Sequence, residues 1–493
     1  MPEIEPDNKS PLNLDGSSHE RMKPLDYHDL VIESLNLVEI FKPEDYEELE
    51  RGLDNLYSTI FNTSNLKNLF PTVSARKDEY KEFIAKSGKS MTAGSWLNLH
   101  GFSSRILAET NPSVRSQYPI MELPCEVTLL HLSLYHLLPS IIMLVAQFDF
   151  TDAVSDSLNR ILAEEQYEGS VIFGGREGHI PPERVKAKKV NGFLLDLQRS
   201  LEEFICRHFA GVFLSQKGNP AQSYKCPSTI LYSLRAIPLA SNDELVEWVS
   251  HQHRFINILG YSNITPTIYQ HANKYLLLTF PDYHYENTPL RTAILASRDR
   301  FIGNETWMRL ILDDRLIALQ AIDYIMELYS KKIINHRNCK GNYDIGISSN
   351  FWKLRKNFIS CYAQKGNIDY DYFDFTKINR ELTSITANSH WIKDNVHEYN
   401  AIYKPKERPD FGYEIVEHIK ADAARIDTEF SLHKERLSDT FTSINTLSNY
   451  INSAWMFWLT MALVFLTIIL AIIGLGPHIL DALNLFLKNN SGA

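Results

Sequence analysis

The stretch Ala454–Leu475, AWMFWLTMALVFLTIILAIIGL, constrains this chain more than any other. Its 22 residues carry no charge. As a helix they span ~33 Å, against about 30 Å of bilayer hydrocarbon. Trp455 and Trp458 stand at its N-terminal end, where aromatic side chains settle at the membrane–water interface. The competing reading is a buried core helix, which is usually shorter or carries a charge. The mean hydropathy of the whole chain, −0.23, excludes a many-span protein, since one apolar segment cannot offset a large polar body. The sequence therefore predicts one transmembrane helix at 454–475.

The N-terminus, MPEIEPDNKSPLNLDGSSHERMK, lacks the basic start and apolar centre of a signal peptide, and residues 1–25 read as a disordered tail. Lys434 and Arg436 precede the span and only Lys488 follows it. Together these features predict a single pass through the inner (cell) membrane with the N-terminal body in the cytoplasm. Five scattered cysteines, Cys125, Cys206, Cys226, Cys339 and Cys361, form no CxxC pair and fit a reducing compartment. After the span, Gly476-Pro477-His478 predicts a helix break. Ile479, Leu480, Leu483, Phe486 and Leu487 then give 476–493 one apolar face, expected at the far interface.

A second apolar stretch, Val127–Phe148, also lacks formal charge, but Pro139-Ser140 divides it into two short halves. It reads as two buried strands joined by a turn rather than as a span.

Ahead of the membrane, Pro409 and Gly412 mark a helix start, and no further Pro or Gly occurs until Gly474. Ile419, Ala423, Ile426, Phe430, His433, Leu437, Phe441, Ile444, Ser448, Ile451 and Trp455 follow at steps of three and four, a heptad seam with one stutter. The pattern predicts a stalk helix, 411–453, continuous with the span, about 60 residues or ~90 Å in all. Such a seam needs a partner, either another copy of the chain or the chain's own globular part; the run toward the bilayer favours another copy. A second stripe holds Thr442, Thr446, Asn449, Ser453, Thr460, Thr467, Ala471, Gly474 and His478. Lipid would face the bulky residues, so this stripe is expected inward in an oligomer, either packing helices together or lining a pore.

The rest alternates strand-like and helix-like segments, an α+β body. Helices are predicted at Pro43–Phe61, Thr151–Glu165, Pro182–Phe209, Ser241–Leu259 and Arg309–Lys332, and strands at Thr229–Ile237 and Tyr275–Phe280. A Gly/Pro/Ser loop at 215–225 suggests two regions, an α+β domain at 26–220 and a mainly helical region at 221–410. A net charge of −10 gives no global reason to expect a nucleic-acid coat.

Chemistry-bearing motifs are few. Gly88-Lys89-Ser90 resembles the end of a phosphate loop, but Phe83 stands where its first glycine belongs. Gly174, Gly175, Arg176 and His179 form a glycine-rich turn followed by Arg184, Lys186, Lys188 and Lys189. Backbone amides plus cations can hold phosphates, so these residues are the local candidate for an anionic ligand such as a nucleotide; the plain reading is a solvated basic helix face. His336 with Cys339 and Cys361, the pair His251 and His253, and the acidic run Asp369, Asp371 and Asp374 lack the ligand sets of a metal site. No enzyme signature is found, and no metal or cofactor is expected.

Stalk helix into membrane helix after a large α+β body resembles the arrangement of CorA-type metal-ion channels over the last 80 or so residues. Gly474-Leu475-Gly476-Pro477 stands where that family carries Gly-Met-Asn, and the second membrane helix is missing. The layout is also similar to membrane effectors of antiphage defence, including the single-span Hailong-type effector. That resemblance implies a homo-oligomeric effector or ion channel, gated through a cytosolic sensor by a nucleotide or oligonucleotide from a partner nucleotidyltransferase. The alternatives are a non-conducting membrane-tethered receptor or scaffold, and a tail-anchored enzyme.

Overall fold

The computed structural model describes residues 30–61, 70–87, 94–111, 113–114, 118–166, 169–173, 176–214, 226–234, 258, 267–271, 274–279, 291–297, 316–338, 351–387 and 411–490. The tail at 1–25, the loop at 215–225, Gly88-Lys89-Ser90, the pair His251 and His253, and nearly all of the helix predicted at Ser241–Leu259 lie outside them.

The strands are β1 (Leu30–Phe41), β2 (Trp96–Ser104), β3 (Ile120–Met121), β4 (Val127–Leu138), β5 (Ile141–Phe150), β6 (Gly169–Phe173), β7 (Arg176–Ile180), β8 (Ser228–Leu234), β9 (Thr267–His271), β10 (Lys274–Thr279) and β11 (Arg291–Ser297). The helices are α1 (Tyr46–Phe61), α2 (Phe70–Lys86), α3 (Arg105–Thr110), α4 (Asp152–Ala163), α5 (Pro182–His208), α6 (Leu316–Asn338), α7 (Phe351–Ala387) and α8 (Phe411–Asn490). Nine strands make one mixed sheet in the order β3-β2-β4-β5-β1-β8-β11-β10-β9, while β6 and β7 pair apart from it. All neighbours in the large sheet are antiparallel except β2 with β3 and β8 with β11.

The apolar stretch Val127–Phe148 is the β4–β5 hairpin at the heart of this sheet, with Leu134 opposite Leu144 and Tyr135 opposite Met143. Residues Ile141–Asp149 are all buried, because both faces of the strand are covered. That double burial explains an apolar run long enough to compete with a span. One face carries Phe102, Leu130, Phe148 and His136, and it receives Tyr57 of α1, Phe204 of α5 and Phe83 of α2. A Cβ at Gly52 would collide with the carbonyl oxygen of His208, so glycine lets α1 approach the end of α5. The opposite face buries Val38, Val145, Tyr135 and Met143.

The division predicted at 215–225 does not separate two layers of structure. Strand β8 pairs with β1 on one side and with β11 on the other, so the sheet takes strands from both sides of that loop. The region 221–410 accordingly contributes four strands as well as helices. Local composition showed the loop but not the non-local pairing across it. The chain divides instead into one unit of Met1–Met326 with Ile378–Ala421, and a second of Glu327–Lys377 with Asp422–Ala493.

His136 is fully buried, and neither ring nitrogen has a hydrogen-bond partner among the described residues. Its ring lies 3.9 Å from that of Phe83. Burial pushes its pKa from 6.5 down to about 4. The fold thus favours the neutral ring, a contribution complete above pH 6.5 and lost as pH falls toward 4. At about 1.4 kcal/mol per pKa unit, that loss is about 3 kcal/mol. Urea unfolding at pH 7 and pH 4.5 is expected to show a change on acidification that is about 3 kcal/mol less favourable in the chain than in His136→Leu. Equal slopes in both proteins would contradict it.

Candidate functional site

One segment among the described residues, Asn452–Leu487 within α8, is long and apolar enough to cross a membrane; its best window has a mean hydropathy of 2.7 and none of it is buried within the chain. The break predicted at Gly476-Pro477-His478 is absent, and the helix continues to Asn490 with Pro477 inside it. A proline removes one amide donor, here the partner of the Ile473 carbonyl, and its ring crowds that carbonyl, which bends a helix without having to end it. The apolar residues on both sides hold the same helical pattern, and a bilayer penalises open backbone more than one lost bond.

The stripe residues Asn449, Ser453, Thr460, Thr467, Ala471, Gly474 and His478 are all exposed. No atom comes within 4 Å of a Cβ built at Gly474. The hydroxyls turn back on the helix. Ser453 donates to the carbonyl of Asn449, Thr460 to that of Met456 and Thr467 to that of Leu463, each at 2.8 Å.

The lower half of the heptad seam differs from the self-association expected of it. Ile419, Ala423, Ile426, Phe430 and His433 are buried within the chain itself. In the second unit, Phe430 packs against Phe375 at 5.8 Å, Tyr372 at 6.0 Å and Tyr329 at 6.4 Å, ring centre to ring centre. A polar collar surrounds this cluster. Tyr329 donates to Asp374 at 2.6 Å, and Asp371 holds Lys332 at 2.7 Å and His336 at 2.9 Å. Desolvation works against ionising Asp371, yet the His336 and Lys332 hydrogen bonds hold its pKa below the usual value. Lys434 pairs with Asp369 at 3.4 Å and lies over the ring of Tyr372. The acidic run therefore serves as hydrogen-bond partner to neighbouring helices. Tyr329, Tyr372 and Phe375 thus cover this part of the seam from within the chain. Trp455, at the far end of the seam, is exposed.

The glycine-rich turn joins β6 to β7. Gly174 and Gly175 lie outside the described residues, Arg176 pairs with Phe173 and His179 with Ser170 along the backbone ladder. The basic residues that follow do not share one surface. Lys186 is fully buried and donates to the carbonyl of Leu162 at 2.6 Å, near the C-terminal end of α4. That carbonyl would otherwise lack a donor, which draws the ammonium inward. Burial lowers its pKa. Lys189 pairs with Glu164 at 2.9 Å, while Arg184 and Lys188 are exposed. Lys186 is thus removed from any phosphate-binding face.

Two features of the body escaped sequence reasoning. Glu39 is buried and accepts from the amides of Ile40 and Phe213 at 2.8 Å and of Leu214 at 2.9 Å. Desolvation pushes its pKa up to about 8 against the pull of these amides. A row of polar residues also crosses the sheet, Gly101 opposite His131, His131 opposite Gln147, Gln147 opposite Asn36 and Asn36 opposite Thr229. Its surface end is His131 with Asp149, at 16 % and 11 % side-chain exposure. Neither feature has a local sequence signal, since the partners lie on strands and loops far apart in the chain. No group of His, Cys, Asp or Glu suited to a metal occurs among the described residues. No protein-family model matches the chain, and no curated protein matches it.

Proposed function

We propose that the chain is a homo-oligomeric membrane effector of channel type, held in the inner membrane by α8 with its body in the cytoplasm. The observation that carries this reading is the apolar helix Asn452–Leu487, which none of the described residues covers and which bears one polar stripe among bulky apolar residues. Lipid suits the bulky faces, and other copies of the helix suit the stripe. The stalk and span act as one helix, and the aromatic cluster on Phe430 anchors the stalk within the second unit. An anionic ligand such as a nucleotide gates the assembly at the β6–β7 hairpin with Arg184 and Lys188. A role in antiphage defence rests on layout alone.

A non-conducting membrane receptor is the second reading. It is favoured by the hydroxyls of Thr460 and Thr467, which are satisfied by their own helix and need no water-filled path. Potassium flux from liposomes containing the purified full chain separates the two. The channel reading expects flux that falls at least about tenfold in Thr460→Leu/Thr467→Leu. A monomeric particle without flux under any nucleotide sinks it, and an oligomer whose flux ignores both threonines sinks the lining role of the stripe.

A further inference from the structure

Helices α7 and α8 run antiparallel in the second unit, which holds α7 as far as Lys377 and α8 from Asp422 onward. As α8 advances from Phe430 to Lys434, its partners on α7 step back from Phe375 to Tyr372 and Asp369. Both helices rise ~1.5 Å per residue, so positions along one fix the level along the other. Phe351, the first residue of α7, stands 18 residues before Asp369, and Asn452 stands 18 residues after Lys434. The start of α7 is therefore level with Asn452, where the apolar segment begins. A tilt of about 20° between packed helices shifts that level by only ~2 Å.

The two turns of α7 at this level read FWKLRKNF, Phe351–Phe358. No carboxylate occurs from Phe351 to Ile368, in a chain of net charge −10. Helix α8 has no Lys, Arg, Asp or Glu from Thr440 to Leu480. Its last cation before the span, Arg436, stops ~24 Å short of Asn452, about three screening lengths at physiological salt. Lys353, Arg355 and Lys356 come much nearer, at ~3, ~6 and ~8 Å from the level of Phe351. That depth matches the polar headgroup layer, about 5–8 Å thick outside the hydrocarbon.

We propose that the first two turns of α7, with Lys353, Arg355 and Lys356, dock on the anionic lipid headgroups of the bilayer that holds α8. The inference rests on the reading of α8 as a span and adds to it a lipid class. Cations within a screening length of a membrane are drawn to its acidic lipids, and the cytoplasmic leaflet is the acidic one. Trp352 stands at the depth of an interfacial aromatic, level with the approach to Trp455 and Trp458. In the sequence these cations precede the span by about a hundred residues, so only the antiparallel packing of α7 on α8 brings them to it.

The lipid that stays with the protein tests this. The full chain is reconstituted in liposomes of equal phosphatidylcholine and phosphatidylglycerol, washed with carbonate, and extracted into mild detergent. The phospholipid retained on the purified protein is then counted by headgroup class. The parent is expected to retain phosphatidylglycerol over phosphatidylcholine by about fivefold. Lys353→Gln/Arg355→Gln/Lys356→Gln is expected to bring the two lipids near equality. Lys377→Gln/Arg380→Gln, exposed cations ~36 Å further along α7, keeps the parent's preference. Extraction of the parent in about 0.5 M salt lowers the preference without any substitution, since screening then acts within ~4 Å. A parent that carbonate strips from the liposomes overturns the span and this inference together. A parent that stays in the liposomes but retains both lipids equally overturns this inference alone. So does a preference that survives the triple substitution or high salt, and so does one that the Lys377/Arg380 variant abolishes equally.

Discussion

Arginine at both Leu463 and Leu466 is expected to release the chain from the membrane into the soluble fraction. The Leu, Ile, Phe and Val residues of 454–475 together favour insertion by about 4–7 kcal/mol at ~0.3–0.6 kcal/mol each. Two arginines near the centre oppose it by about 5–7 kcal/mol, and two leucine contributions are lost as well. The balance therefore crosses zero. Carbonate-washed membranes from cells expressing parent and variant would show it, with unchanged melting of the body as the control for folding. Because Leu463 and Leu466 are each 56 % exposed and lie on α8 rather than on a strand, the variant leaves the sheet untouched. A variant that stays in the washed membranes would refute the span.

Replacing Glu39 by alanine is expected to destabilise the body by about 3–5 kcal/mol, enough to unfold a marginal domain. The carboxyl group takes three amides, those of Ile40, Phe213 and Leu214, and a methyl group leaves all three buried without an acceptor. Gly211 gives no room for rearrangement, since a Cβ there would already touch the Glu39 side chain at 2.8 Å. Glu39→Gln keeps one acceptor oxygen and is expected to lose only about 1–2 kcal/mol at pH 6. The two variants also differ from the parent in pH dependence. With a folded pKa of about 8, raised from 4.5, Glu39 contributes most below pH 4.5, and its contribution declines as pH rises through 8. Glutamine removes that decline. Chemical denaturation at pH 6 and pH 8.5 measures both effects, and an alanine variant as stable as the parent would show that the three amides find other acceptors. His136 works in the opposite direction, losing its contribution on acidification, so the two buried groups oppose each other between pH 4.5 and 6.5.

How much could be read in advance depended on how local the cause was. The hairpin at β4–β5 and the helices α4 and α5 are set by runs of neighbouring residues, and their bounds agree with the sequence to within two residues. The sheet order is set by contacts between β1, β8 and β11, which are separated by long stretches of chain, so the loop at 215–225 looked like a boundary. Helix α7 was invisible for a different reason. Its inward residues Ile368, Phe375, Ile378 and Leu382 are interleaved with tyrosines and aspartates that serve the polar collar, which blurs the apolar period. The same collar explains the fate of the seam. A heptad pattern states that a helix needs a partner, not which one, and Tyr329, Tyr372 and Phe375 supplied it as far as Phe430. Lys186 shows the limit of reading charge runs, since one of four clustered cations was required inside to complete α4. The polar stripe of α8 is a spacing within one helix, and what it faces is set by residues outside that helix.

The hydroxyls of Thr460 and Thr467, bonded to the turn before them, bear on the order of events in biogenesis. A helix whose polar groups depended on neighbouring copies would have to meet them before leaving the aqueous phase, or enter lipid with open donors. This helix carries its own acceptors. A helix of this kind can therefore enter a bilayer singly, with neither threonine hydroxyl left as an open donor.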